Sequence, residues 1–358
     1  MVDHLYLHVP FCAHRCGYCD FVTVTGNEHL QERYVDALIT ELGQHRLEPP
    51  TTIFIGGGTP SLLPDRLLAR LLATLPGCGE LTVECNPETI TPDKARALVE
   101  GGVTRVSLGA QSFRPHLLAT LERLAAPAAI RSAVATLRAA GMTSLNLDLI
   151  FGVPGQSGDD LRADLDDALS LQPDHISYYE LEAKPGTRFT HAHGAELERQ
   201  ADALEDHYET VVATLRAAGY RWYETANFCR PGHEARHNLG YWEGRDYLGL
   251  GVGAVSTIGL QRRRNRPGLV PYIRALESGQ APPSQVEPLT AEERGEERVM
   301  LGLRLDRPLA LAGLETLLDA GELQRLQAAG MLAMDGDEMS LSERGRFMAN
   351  DVVSSILR

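Results

Sequence analysis

Along the first half of the chain, apolar and polar positions alternate with period two in short runs, and stretches of helical period separate the runs. The strand-like runs are His4 to Val9, Thr51 to Ile55, Leu81 to Asn86, Arg105 to Gln111, Ser144 to Phe151 and His175 to Glu182. Repeated βα units of this length predict a parallel sheet, open or closed into a full or partial barrel. Parallel strands covered on both faces usually read as continuous apolar runs. Here Leu81, Val83 and Cys85 oppose Thr82, Glu84 and Asn86, and Leu145, Leu147 and Leu149 oppose Asn146 and Asp148. Such strands predict one face under helices and one facing a polar lumen that a ligand fills, with the chemistry at the C-terminal strand ends. An exposed sheet face is the plainer alternative.

Beyond residue 185 the pattern changes. Glu196 to Ala218 reads as one long helix, and Tyr220 to Ile258 mixes strand-like runs with glycine turns. The Pro- and Gly-rich stretch Asn265 to Pro288 reads as a linker. The remainder, two helical stretches and a short strand pair, predicts a small winged-helix-like module. The expected division is a unit over 1–285, with its barrel core over about 1–185, and a C-terminal unit over 286–358.

Composition narrows the class. The 358 residues are 43% hydrophobic and 23% charged, the profile of a globular protein rather than a disordered or membrane-embedded one. No apolar run approaches a membrane span and no signal-peptide pattern opens the chain, so a cytoplasmic location is expected. A net charge of -14 argues against nucleic acid as a partner, including for a regulator acting through the C-terminal module. Six cysteines are too few for a disulfide framework in a chain this long.

Three of them cluster as Cys12-Ala13-His14-Arg15-Cys16-Gly17-Tyr18-Cys19, directly after the first strand. Thiolates on so short a loop can hold three corners of an iron-sulfur cluster and leave one iron open. A structural zinc site needs four ligands, and His14, awkwardly placed between two of the cysteines, is the available fourth.

CxxxCxxC after a first strand, with an aromatic before the last Cys, resembles the radical S-adenosylmethionine (SAM) enzymes, whose open iron is chelated by the amino and carboxylate groups of SAM. Nearly the whole chain follows, in order, with Tyr6-Leu7-His8-Val9-Pro10-Phe11-Cys12, Tyr18-Cys19-Asp20-Phe21, Gly56-Gly57-Gly58-Thr59-Pro60, Glu84-Cys85-Asn86-Pro87 and Gly109-Ala110-Gln111-Ser112-Phe113. These are similar to the oxygen-independent coproporphyrinogen III dehydrogenases (HemN type) and to the HemW-type heme chaperones. The resemblance implies a partial (βα)6 barrel with a small C-terminal domain, and a [4Fe-4S] cluster on Cys12, Cys16 and Cys19. It also implies SAM contacts from Tyr6, Tyr18, Gly57, Gly58, Thr59, Glu84, Gln111, Arg123 and Asp148. A tight turn at the glycines, core packing of either tyrosine and a surface charge at Arg123 are the alternatives.

Two departures separate the subfamilies. The dehydrogenases usually carry a fourth Cys where this chain has Phe21, and an extension before the first strand, which here starts near His4. On the other side, His237-Asn238-Leu239-Gly240-Tyr241-Trp242 matches the HNxxYW heme motif of the HemW group. The resemblance therefore implies a heme carrier, with His237 as axial ligand and Tyr241 and Trp242 as flat apolar surface; a plain core histidine is the alternative. It further implies a heme-acceptor protein, an electron donor for the cluster and a transient contact with a membrane or membrane protein. The rival is a radical enzyme that cleaves SAM reductively for porphyrin chemistry.

Three weaker features complete the reading. Arg262-Arg263-Arg264-Asn265-Arg266 reads as a solvated turn, with heme propionates or an acidic partner as the alternative. Gly249-Leu250-Gly251-Val252-Gly253 lacks GxGxxG spacing, so it is no nucleotide fingerprint. Cys229, His233 and His237 are spaced as Cx3Hx3H, with Cys229 as a plain loop cysteine favoured.

Overall fold

The computed structural model describes residues 2–45, 48–182, 184 and 188–358. Six strands follow one another as expected: β1 (His4–Val9), β2 (Thr52–Gly57), β3 (Glu80–Cys85), β4 (Arg105–Gln111), β5 (Ser144–Phe151) and β6 (His175–Glu180). Each pairs in parallel with the next. After the long helix Arg188–Ala217 come β7 (Arg221–Trp222), β8 (Asn227–Cys229), β9 (Tyr247–Leu250), β10 (Val255–Ile258), β11 (Gln261–Asn265) and β12 (Ser284–Pro288). Together they form one sheet in the order β12-β11-β10-β9-β1-β2-β3-β4-β5-β6-β8-β7. The sheet has two edges, so the barrel is partial, and β9 extends its parallel part by pairing with β1.

The alternation along the strands sorts side chains as the sequence suggests. Leu5, Leu7, Ile53, Ile55, Val83, Leu108, Leu147 and Leu149 lie at most 1% exposed under the helices, in one continuous core. The opposite parity faces the lumen, whose lower part departs from expectation. There the lumen is filled by its own side chains rather than left for a ligand. His175 donates from Nδ1 to Asn146 Oδ1 (2.6 Å), and its Nε2 accepts from the Tyr223 hydroxyl (2.7 Å). Asn146 Nδ2 in turn donates to Ser107 Oγ and Asp148 Oδ1, both at 2.7 Å. Closing these bonds removes the penalty of burying five polar groups together.

Two segments differ from the sequence reading. The stretch expected as a linker contains the helix Leu269–Glu277, whose Leu269, Tyr272, Ile273 and Leu276 are buried in the main core, followed by β12 on the sheet edge. Its prolines and glycines mark the ends of these elements. The arginine run is β11, paired antiparallel with β10, rather than a turn.

The C-terminal part has a core of its own around Val299, Leu303, Leu326, Met339 and Val352. Its three-stranded antiparallel sheet is formed by β13 (Leu309–Ala310), β14 (Leu332–Asp335) and β15 (Glu338–Leu341), in the order β13-β15-β14, flanked by short helices as a winged-helix-like module requires. Arg221 pairs with Asp306 in two hydrogen bonds of 2.7 and 2.8 Å, and Arg346 stacks over the Trp222 ring, tying this part to the β7 edge. Among the described residues no helix is long and apolar enough to cross a membrane.

Candidate functional site

The chain leaves β1 at its C-terminal end, where Val24 N–H donates to Pro10 O and Cys12 N–H to Val24 O, so the cysteine loop is closed on itself. Cys12, Cys16 and Cys19 are half-buried and line one cavity of about 520 Å³ above the sealed part of the lumen. Cys12 Sγ lies 3.6 Å from Thr59 Oγ1, and Cys16 Sγ lies 3.8 Å from Arg123 Nη1. His14 turns away toward Glu122 (3.4 Å). Among the described residues no three His, Cys, Asp or Glu side chains converge tightly enough for a single metal ion. A four-iron cluster spreads its thiolate ligands over separate irons, so the loop suits that group better than zinc.

Opposite the cysteines, the same cavity is walled by Gly57, Gly58, Thr59, Glu84, Gln111 and Asp148. Gly57 has φ +113°, and a Cβ there would lie 2.3 Å from the His8 ring; at Gly58 it would meet Pro10 and Phe11 backbone at 2.7 to 2.8 Å. Only glycine lets this strand end pass so close to the cysteine loop. Gln111 also has a positive φ, +65°, after a β-bulge at the end of β4. A positive φ is uncommon for a non-glycine residue, and here it follows the bulge that ends the strand at the cavity wall.

Two half-buried carboxyls face this space. Burial pushes Glu84 up to about 7, helped by the nearby Asp148 and opposed by the Gly57 N–H that donates to its Oε2 at 2.9 Å. Burial raises Asp148 too, with Ser107, Arg105 and Asn146 holding it down. Acids so placed suit a cationic ligand, whose charge would restore their ionised forms. Arg123 is no surface charge: its Nη2 donates to Asn86 Oδ1 (2.8 Å) and Gly109 O (3.1 Å), while its buried Nε has no partner among the described residues. Asn86 is a site residue that the motif reading alone does not pick out. It bridges Thr59 and Arg123, and its polar parity on the β3 line was the available signal.

Tyr18 lines this cavity, edge-on to Phe189. Tyr6 does not: its hydroxyl is bonded to His8 Nδ1 (2.9 Å) and its ring lines a neighbouring cavity of about 610 Å³. The two cavities share Asp20 and Phe21.

The HNxxYW segment forms the helix Arg236–Trp242, whose first two N–H groups donate to the Glu80 carboxylate at 3.0 Å each. A carboxylate at a helix N-terminus satisfies donors that no helical carbonyl can reach. His237 is only 1% exposed, and both ring nitrogens are engaged, Nδ1 with Thr52 Oγ1 (2.7 Å) and Nε2 with the Tyr241 hydroxyl (2.9 Å). Burial pushes it down to about 3, so the imidazole is neutral. As placed, it offers neither nitrogen to an iron; it locks the helix to the sheet. Gly240 serves the same docking, because a Cβ there would lie 2.3 Å from His4 Nε2. Successive helix residues diverge: Tyr241 lines the second cavity, while Trp242 lies under Arg304, 5.5 Å from its ring centre, on the C-terminal side. Cys229 is buried in β8, and His233 reaches Ser144 (3.5 Å), so the Cx3Hx3H spacing assembles no site with His237.

Residues 6–168 match the model of the radical SAM superfamily, and residues 289–348 that of the HemN C-terminal domain. The heme chaperone HemW of Mycobacterium tuberculosis is 41% identical, over 99% of this chain and 94% of its own length. HemW of Escherichia coli is 33% identical, over 99% and 97%. Among solved structures, the radical SAM coproporphyrinogen III oxidase HemN of Escherichia coli superposes with a TM-score of 0.82 and 25% identity, covering 98% of this chain and 89% of that one. With such identity to relatives along nearly its entire length, the chain belongs to the HemW family within the radical SAM superfamily.

Proposed function

We propose that the protein binds heme and passes it to an acceptor protein, on a scaffold that also holds a [4Fe-4S] cluster and SAM. The observation that carries this reading is the 41% identity, end to end, to a heme chaperone. Phe21 supports it, standing where the resembling dehydrogenases carry a further cysteine and exposing 67% of its surface between the two cavities. The unit over 1–285 would carry the cofactors and the unit over 286–358, with a core of its own, would flank them.

In this reading Cys12, Cys16 and Cys19 would hold the cluster, which when bound would supply a binding position for SAM and one-electron chemistry. Gly57, Gly58 and Thr59 would present backbone to the methionyl end, and Glu84 and Asp148 would offer half-buried carboxyls to positive or hydroxylated groups. Arg123 holds Asn86 and Gly109 in place and sets a guanidinium beside Cys16. Gln111 and Tyr18 complete the wall. Tyr6 acts from outside this cavity, through His8. Tyr241 is the motif residue that reaches the second cavity, and His237 positions it.

The test is anaerobic and paired. The reconstituted protein is titrated with heme, and separately assayed for conversion of coproporphyrinogen III with a strong reductant. Saturable heme binding with negligible conversion supports the chaperone reading; sustained conversion without heme binding would replace it with the dehydrogenase.

A further inference from the structure

Asn86 sits where β3 ends, and a closed ring of hydrogen bonds holds its backbone. Its N–H donates to Ser61 Oγ (3.2 Å), the Ser61 hydroxyl meets Thr89 Oγ1 (2.6 Å), and the Thr89 hydroxyl returns to Asn86 O (2.7 Å). Fixed in this way, the side-chain amide stands between Cys12 and Cys16. Its Nδ2 donates to Thr59 Oγ1 (3.1 Å), and its Oδ1 accepts from Arg123 Nη2 (2.8 Å). Gly109 leaves room for the second of these bonds, since a Cβ there would lie 3.1 Å from Asn86 Oδ1 and 3.3 Å from Arg123 Nη2.

The polarity of the chain has one consistent assignment. A guanidinium has no acceptor, so Asn86 turns its oxygen to Arg123 and its amide nitrogen to Thr59. Thr59 Oγ1 accepts from Asn86 and keeps its own proton for Cys12 Sγ, 3.6 Å away. A cysteine that ligates iron is a thiolate and therefore an acceptor. At the other end Arg123 Nη1 donates to Cys16 Sγ at 3.8 Å. One amide thus orients the donors to both sulfurs. Cys19 is served by the backbone instead: burial raises its thiol and the Phe21 N–H opposes that rise.

We infer that Asn86 is a positioning residue for the iron-sulfur cluster: it aims the Thr59 hydroxyl at Cys12 and the Arg123 guanidinium at Cys16, and so sets the potential at which the cluster accepts an electron. The inference rests on the reading above that the three cysteines hold the cluster, and adds what tunes it. A hydrogen bond to a ligating sulfur draws negative charge away from the irons, so an added electron is accommodated more readily. Aspartate in this place would keep the pair with Arg123 but, lacking a donor, would take the Thr59 proton for itself. Cys12 would lose its hydrogen bond and a negative charge would be added close by. Both changes disfavour the extra electron.

The experiment uses the full-length protein, reconstituted anaerobically and kept free of SAM so that no ligand stands beside Arg123. Dithionite is the one-electron donor, and electron paramagnetic resonance follows the reduced cluster at poised potentials. Asn86→Asp, Asn86→Ser, Thr59→Val and Thr59→Ser are compared with the parent, with iron content and melting temperature showing that cluster and fold are retained. At the parent's midpoint, Asn86→Asp should lower the ratio of reduced to oxidised cluster by about tenfold or more, equal to about 59 mV for one electron. Asn86→Ser and Thr59→Val, both uncharged, should lower it by about threefold or more. Thr59→Ser keeps the hydroxyl and should stay at the parent value. If Asn86→Ser and Thr59→Val hold the cluster at the parent's potential, the positioning role is wrong and the cluster reading stands, even where Asn86→Asp shifts, since that shift is then added charge alone. If the parent takes up no iron-sulfur cluster, that reading and this inference fall together.

Discussion

The Nε2 of His237 and the hydroxyl of Tyr241 lie 2.9 Å apart, one turn of helix from each other, and Nδ1 of the same imidazole meets Thr52 on β2 at 2.7 Å. The HNxxYW segment is thus bolted to the barrel by its histidine and shows its tyrosine to a cavity. Removing the imidazole should act first on stability. His237→Ala opens a buried void and takes the partner of the Tyr241 hydroxyl, while Thr52 keeps its bond to His4 Nδ1 (2.8 Å), a loss of about 2–4 kcal/mol. Chemical denaturation would measure it, and heme binding should weaken in step with the lost stability. Loss of heme binding alone, with a shifted Soret band and unchanged stability, would make His237 the iron ligand instead.

The same burial sets a pH dependence. His237 titrates near its ordinary value when unfolded and at about 3 when folded, so the neutral form it stabilises is fully present above about pH 6.5. Its contribution is lost as pH falls from there toward 3. His175, also driven well down by burial, adds in the same direction. The unfolding midpoint should therefore drop below about pH 6.5, and His237→Gln should flatten that drop.

Glu84 has the opposite sign. Its folded carboxyl lies at about 7, above the unfolded value, so ligand-free protein loses this stabilising contribution as pH rises from about 4.5 through 7. A cation bound beside it draws the proton off, so SAM affinity should rise as pH increases through 7 and proton release should accompany binding. Calorimetry in buffers of different ionisation heat reads both. Glu84→Gln should bind SAM more weakly and without the pH dependence.

Cys16→Ala should abolish the brown iron-sulfur species that reconstitution brings to about four irons per chain. The melting temperature of the metal-free protein should change little, because among the described residues this half-buried thiol makes just the long contact with Arg123. Stoichiometric zinc in the parent, without iron-sulfur absorption, would contradict the cluster assignment.

Much of this was legible in the chain because it is written locally. The period-two alternation in Leu81–Asn86 and Leu145–Asp148 announced which faces were apolar, and the three cysteines lie within one loop. What escaped depends on partners distant in sequence. Nothing near Asn146 says that His175 and Tyr223 will close the lumen beneath it. The run at Arg262 resembles a turn until β10 and β12 pair with it on either side. For His237 the motif names the residue, but Thr52, 185 positions away, decides which way the ring is used.

The most direct measurement of the central claim is an anaerobic titration of the cluster-loaded, full-length protein with heme, followed by its Soret band, alongside coproporphyrinogen III turnover by the same sample. The account predicts saturation at about one heme per chain and turnover far below the roughly 1 per second of ordinary enzymes. No saturable heme binding, together with multiple turnovers of coproporphyrinogen III, would contradict it.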